Sequence, residues 1–179
     1  MRPLTAPLCA AGLAFALLVA PATSSAAKPV TTKSRISLSG VGGIGIGTRL
    51  SVIERRIGQD IDYRHGEVGG PGSPCGTGTL IPRRLGVLVL GTSYRIASVT
   101  VTRRGIATPS GVRVGDSVAR LKRTYPGRLV RVRNFYAPSK SNYEYRDGNR
   151  KLVFYTNNVH VRQITTGRRP EVDYVEGCA

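Results

Sequence analysis

The apolar positions of this chain recur with two different periods. Ile46, Leu50, Ile53 and Ile57 are spaced 4, 3 and 4 residues apart, which places them on one face of an α-helix. Val114, Val118, Leu121 and Tyr125 repeat that spacing 68 positions later. Gly43 and Gly47 likewise meet Gly111 and Gly115. Thr48 and Asp116 precede the helical stretches and are the expected N-caps, because their side chains can accept from the free N–H groups of a first turn. Gly58 and the pair Pro126-Gly127 are the expected stops.

Elsewhere the period drops to two. In "GRLVRVRNFY" Val130 and Val132 alternate with Arg131 and Arg133, as in a strand with two different faces. "NYEYRDGNRKLVFYT" is two β-rich runs about Asp147-Gly148-Asn149, a hairpin signal. "NNVHVRQITT" adds a strand, and "LGVLVLGTSYRIASVTVT" supplies two more, split near Gly91 to Ser93. "IASVTVTRR" from Ile96 aligns with "VRQITTGRR" from Val161 at an offset of 65. Two matched segments at nearly one offset point to a duplicated unit. The expected fold is therefore α+β: two tandem repeats, each a short capped helix packed on an antiparallel β-meander. "HGEVGGPGSPCGTG", His65 to Gly78, reads as the longest glycine- and proline-rich loop.

The phrase Gly–apolar–x–apolar–Gly–[Thr/Asp]–x–apolar–x–x–apolar, followed by a glycine-ended helix and a meander, resembles the repeat of the β-lactamase-inhibitor-protein fold and of the related small outer-membrane assembly lipoproteins. Gly111 to Gly127 with the C-terminal "VEGCA" is also similar to uncharacterised secreted proteins of actinobacterial type. The resemblance implies this fold, export, and an adaptor or inhibitor that binds other proteins. It carries over no catalytic residue. The inhibitor has a disulfide in each repeat and an aromatic-rich binding surface, whereas this chain has no Trp and 6% aromatics.

The N-terminus changes the picture of where the chain works. Arg2, an apolar run from Leu8 to Ala20 and the small residues ending at Ala27 follow the order of a secretory signal peptide. The apolar run is short of the roughly 20 residues that span a bilayer. The expected organisation is a signal peptide over 1–27, a flexible segment over 28–35, a first repeat over 36–104 and a second over 105–179. Export leaves Cys75 and Cys178 as an even pair, the expected disulfide; two free thiols or intermolecular pairing are the alternatives. Closing a loop of about a hundred residues stabilises by about 4–5 kcal/mol in the chain-entropy account.

Net charge is +17, and loss of Arg2 with the leader leaves +16. From Arg103 onward there are sixteen basic and six acidic residues. Such a field concentrates polyanions and acidic proteins. Strand parity puts Arg131 and Arg133 on one side, with His160 and Arg162 expected on the same side of another strand. Arg120 and Arg123 are expected on the exposed side of the second helix. These five arginines form the expected anion site, for an extracellular or cell-wall polyanion or an acidic protein. A solvated face that keeps the protein soluble is the simpler reading of the same charges.

Two motifs bear on enzymatic chemistry. "GVGGIG", Gly40 to Gly45, fits G-x-G-x-x-G, but a dinucleotide site needs a buried parallel second strand, and a polar stretch follows instead. No cofactor and no metal are expected. Asp60, Asp62, His65 and Glu67 collect acid–base groups, and a small extracellular hydrolase centred on His65 is the alternative to a binding protein.

Overall fold

The computed structural model describes residues 27–65 and 75–174, with the backbone alone at His65. The expected signal peptide, except for Ala27, and Cys178 lie outside the described residues, as does Glu67. The architecture is α+β. Short strands β1 (Ile36–Ser37), β2 (Gly40–Val41) and β3 (Ile44–Gly45) form a small antiparallel sheet. Helix α1 (Leu50–Ile57) follows, then β4 (Ile61–His65), β5 (Cys75–Leu80), β6 (Val87–Thr92) and β7 (Arg95–Val101). Helix α2 (Val118–Thr124) precedes β8 (Leu129–Arg133), β9 (Ser141–Asp147), β10 (Arg150–Thr156) and β11 (Val161–Arg168).

The eight later strands make one continuous antiparallel sheet in the order β4-β5-β6-β7-β11-β10-β9-β8. Each run of four strands is a meander, and the two runs join where β7 pairs β11. One face carries the core. Ile53, Ile57, Leu121, Val99, Val101, Phe154 and Ile164 are all essentially inaccessible there and belong to a single cluster that spans both halves of the chain. The helical stripes read from the sequence are the residues that pack into it, with Tyr125 stacking obliquely on Phe154 and Tyr145. Among the described residues no helix is long and apolar enough to cross a membrane.

The helix starts fall one residue later than Thr48 and Asp116. The N-cap residues are Arg49 and Ser117, and only Ser117 caps with its side chain, accepting from Arg120 N–H at 3.1 Å. The reason lies in the backbone. The carbonyls of Thr48 and Asp116 accept from Ile96 and Val161 N–H, each at 2.9 Å, so both residues are held by a strand before the helix begins. At Gly58 the left-handed turn is as expected, φ 61, with its N–H donating to Glu54 O; α2 ends at Tyr125.

Within residues 28–35, expected to be flexible, one residue is buried. Val30 is 2% exposed, and its N–H donates to Gln59 Oε1 at 2.6 Å. The expected loop from His65 to Gly78 is also shorter than the composition indicated, since Gly76 and Gly78 belong to β5. Both face a crowded β4, where a Cβ would stand 2.5 Å from Arg64 O at Gly76 and 2.7 Å from Ile61 Cγ2 at Gly78. A Cβ on Gly76 would stand 2.7 Å from the Tyr63 hydroxyl, and one on Gly78 would stand 3.0 Å from its ring. Neighbours this close leave no room for a side chain at either position.

Candidate binding site

The "GVGGIG" segment is the β2–β3 hairpin, in which Gly40 pairs Gly45 and Val41 pairs Ile44. A Cβ at Gly40 would sit 1.9 Å from Ile44 O. The glycine serves the tight turn, and the segment has no parallel βαβ context for a dinucleotide. Asp62 accepts from Arg83 Nη2 at 2.5 Å and lies 3.8 Å from Arg64 Nε. Its carboxylate is thus engaged with guanidiniums on the surface. Among the described residues no three His, Cys, Asp or Glu side chains cluster as metal ligands would.

The predicted arginines divide between the two faces of the sheet. In β8 the odd residues share a face with the helices, because Leu129 pairs Tyr145, Arg131 pairs Tyr143 and Arg133 pairs Ser141, and Tyr143 is in the core. Val130 and Val132 point to the opposite, open face; Val130 is 42% exposed. Arginine is tolerated on the core side because β8 is the outermost strand and its long stems reach past the edge of the core to water. The expectation that Arg162 shares this side is overturned. A β-bulge shifts the register there, so that Thr156 pairs Val161 and Tyr155 pairs Gln163, with Arg162 left as the extra residue. A bulge defeats parity counting, and Arg162 lines the open face instead. His160 precedes β11 and bridges Ser117.

On the helix side, α2 extends what β8 begins. Lys122 Nζ lies 5.3 Å from the Tyr143 ring centre, and Arg128 Cζ lies 5.0 Å from that of Tyr145. Arg128 also donates to the Tyr145 hydroxyl at 2.9 Å, and Arg131 Nε donates to Ser141 Oγ at 2.7 Å. Lys122 and Arg128 therefore lie over tyrosine rings, Arg131 and Arg133 continue the margin along β8, and none of the four pairs with a carboxylate among the described residues. Arg123 is exposed on the last turn of α2. Arg120 is already spent, with Nε 3.2 Å from Asp116 Oδ2. Lys122 was missed in the sequence because helical spacing alone does not show which polar position overhangs a strand.

The open face of the sheet is a shallow concavity of about 1300 Å³. It holds a cluster of charges that the sequence pattern did not reveal. Lys151 and Glu144 are 3% and 6% exposed and 2.6 Å apart. Arg146 closes on Glu144 at 2.6 Å, Lys151 pairs with Asp173, and Arg169 Nε is 3.2 Å from Asp173 Oδ2. Burial by itself raises the Asp173 carboxyl, but Lys151 and Arg169 together hold it below the ordinary aspartate value. Burial, and then Glu144 and Asp173, push the Tyr155 phenol upward. Glu144 and Lys151 lie diagonally across the β9–β10 hairpin, and that spacing was the signal available.

No family model and no curated protein matches the chain. Among solved structures it is similar to yfeY, an uncharacterised protein of Escherichia coli, at 15% identity and a TM-score of 0.51, covering 75% of this chain and 99% of that one. It is also similar to an extracellular protein containing a SCP domain from Bacillus anthracis, at 8% identity and a TM-score of 0.47, covering 69% of this chain and 44% of that one. The first likeness concerns the fold alone.

Cys75 opens β5 and does not behave as a free thiol. Its expected partner Cys178 lies outside the described residues, so that pairing is taken up as part of the functional reading.

Proposed function

We propose that this is an exported, non-enzymatic binding protein whose partner is an acidic protein, held at the margin between α2 and β8. The observation that carries the reading is the group Lys122, Arg128, Arg131 and Arg133, cationic and unpaired with acids among the described residues, in which Lys122 lies over Tyr143 and Arg128 over Tyr145 while Arg131 and Arg133 continue along β8. Arginine and tyrosine are the residues that dominate protein interfaces. A site for a bare polyanion needs charge alone, whereas this margin alternates charge with ring faces. In the same reading the chain is a tandem repeat of the β-lactamase-inhibitor-protein type, and Cys75 pairs with Cys178 to fasten the C-terminal tail to the first half.

Hydrogen bonds support the duplication. Gly47 N–H donates to Ile96 O at 2.7 Å, and Gly115 N–H donates to Val161 O at 2.8 Å. Leu50 N–H donates to Tyr94 O, and Val118 N–H to Val159 O. Each pair differs by the offsets of 68 and 65 seen in the sequence. Thr100 and Thr165, themselves 65 apart, meet hydroxyl to hydroxyl at 2.9 Å where the two meanders join.

The test is binding of the purified protein to polyglutamate, DNA and polyphosphate across a salt series. Polyglutamate should stay bound at physiological salt and be lost in the Arg131→Glu, Arg133→Glu variant. Equal or tighter retention of DNA or polyphosphate would replace the acidic protein with a polyanion. Weak binding to all three that disappears with salt would mean the charge is only a solubilising field.

A further inference from the structure

The two outermost strands of the large sheet are not equivalent. Along β4, Ile81 N–H donates to Asp60 O, so the even residues face β5 and the odd ones present their backbone outward. That outward edge is blunted, because Ile61 N–H donates to Glu54 Oε1 of α1 at 3.3 Å. Along β8, Asn134 N–H donates to Lys140 O at 3.1 Å, which continues the pairing of Arg133 with Ser141. Asn134, Val132 and Val130 therefore spend their backbone groups on β9, while Leu129, Arg131 and Arg133 turn theirs outward. None of those three has a backbone partner among the described residues. An edge with free donors and acceptors in register is a template for another strand.

Resting on the acidic-partner reading, we propose that the partner enters as an extended acidic segment that adds a ninth strand to the free edge of β8. A residue directly opposite Arg131 or Arg133 exchanges both backbone hydrogen bonds with it, and its side chain falls on the same face as the arginines. That position calls for Glu or Asp. The alternate residues lie beside Val130 and Val132 and call for a β-branched side chain. A second copy of this chain is the poorer occupant. Two β8 strands running antiparallel set Arg131 against Arg131 or Arg133 of the other copy, and like charges directly opposite are destabilising.

The probe is an acetylated, amidated peptide of about seven residues, the length of an ordinary strand, alternating Glu and Val. Two variants carry backbone N-methyl groups, one on every Glu and the other on every Val. All three have the same side chains and charge. The unmodified and Val-methylated peptides should bind alike, because the Val N–H groups face away. The Glu-methylated peptide should bind about tenfold more weakly or worse, since it loses several main-chain hydrogen bonds. Amide exchange at Leu129, Arg131 and Arg133 should slow on binding, and Arg131→Glu with Arg133→Glu should abolish it. Equal binding of all three peptides would overturn strand addition while leaving the acidic-partner reading intact. Failure of every peptide with polyglutamate still retained would do the same. Failure of peptides and polyglutamate together would remove both readings. Dimerisation of the free protein, abolished by Arg131→Pro, would assign the edge to a second copy and overturn the proposal.

Discussion

Lys151 is 3% exposed and lies between Glu144 and Asp173. A buried ammonium keeps its charge only while its carboxylates compensate for lost water, and the carboxylates depend on it in turn. Lys151→Met should therefore cost about 3 kcal/mol in urea unfolding, because Glu144 stays buried with less to balance it. Glu144→Gln added to that change should recover part of the loss. The same cluster sets an acid limit. Asp173 has a folded pKa below its ordinary 3.8, so its contribution to stability is complete above that value and is lost as pH falls through the folded one. The thermal midpoint should drop below about pH 4, and Asp173→Asn should flatten that part of the profile. An unchanged profile would show that the pair does not contribute to folding. Little of this was legible beforehand, because a charge within a strand run looks the same in sequence whether water or a partner satisfies it.

At the scale of the element, the two helices begin with unequal local chemistry. Both have the carbonyl of the residue before the cap fixed by a strand, and both bury the same stripe of apolar positions. Ser117 caps α2 with its hydroxyl, whereas Arg49 offers α1 no side-chain cap. Arg49→Ser should stabilise the protein by about 0.5–1 kcal/mol, and Ser117→Ala should cost about as much. Thermal midpoints moving in opposite directions would check both. The helices were readable because a period of 4, 3 and 4 has one structural solution. The caps were misread by one residue because Thr48 and Asp116 are good cap types that a tertiary hydrogen bond had already claimed. The first residues of β5, Cys75 to Gly78, read as loop because they are glycine-rich, and the contacts that crowd Gly76 and Gly78 come mainly from β4, which no local pattern encodes. The side of the sheet taken by Arg162 was lost for a similar reason, since the bulge opposite Tyr155 inserts a residue that alternation does not announce.

For the whole molecule, the join between β7 and β11 decides how the halves behave. Four registered pairs cross it, from Ile164 with Val101 to Gly167 with Ser98, and Ile164, Val101 and Phe154 are packed there with no measurable exposure. Neither four-stranded meander closes its core alone, because α1, α2 and both halves of the sheet contribute to a single apolar cluster. A chain built this way unfolds as one cooperative unit. Far-ultraviolet circular dichroism and tyrosine fluorescence should give coincident denaturation curves, and Ile164→Ala should shift both by the same amount, costing about 2–5 kcal/mol for the cavity it leaves. Separate transitions, with the second-half tyrosines Tyr125, Tyr143 and Tyr145 persisting after the first, would mean that the seam is an interface between two independent domains. The distinction reaches the binding edge. If folding is cooperative, β8 at one end of the sheet is held in register by contacts that run through β11 to the first half, and destabilising the seam should weaken peptide capture without touching an arginine.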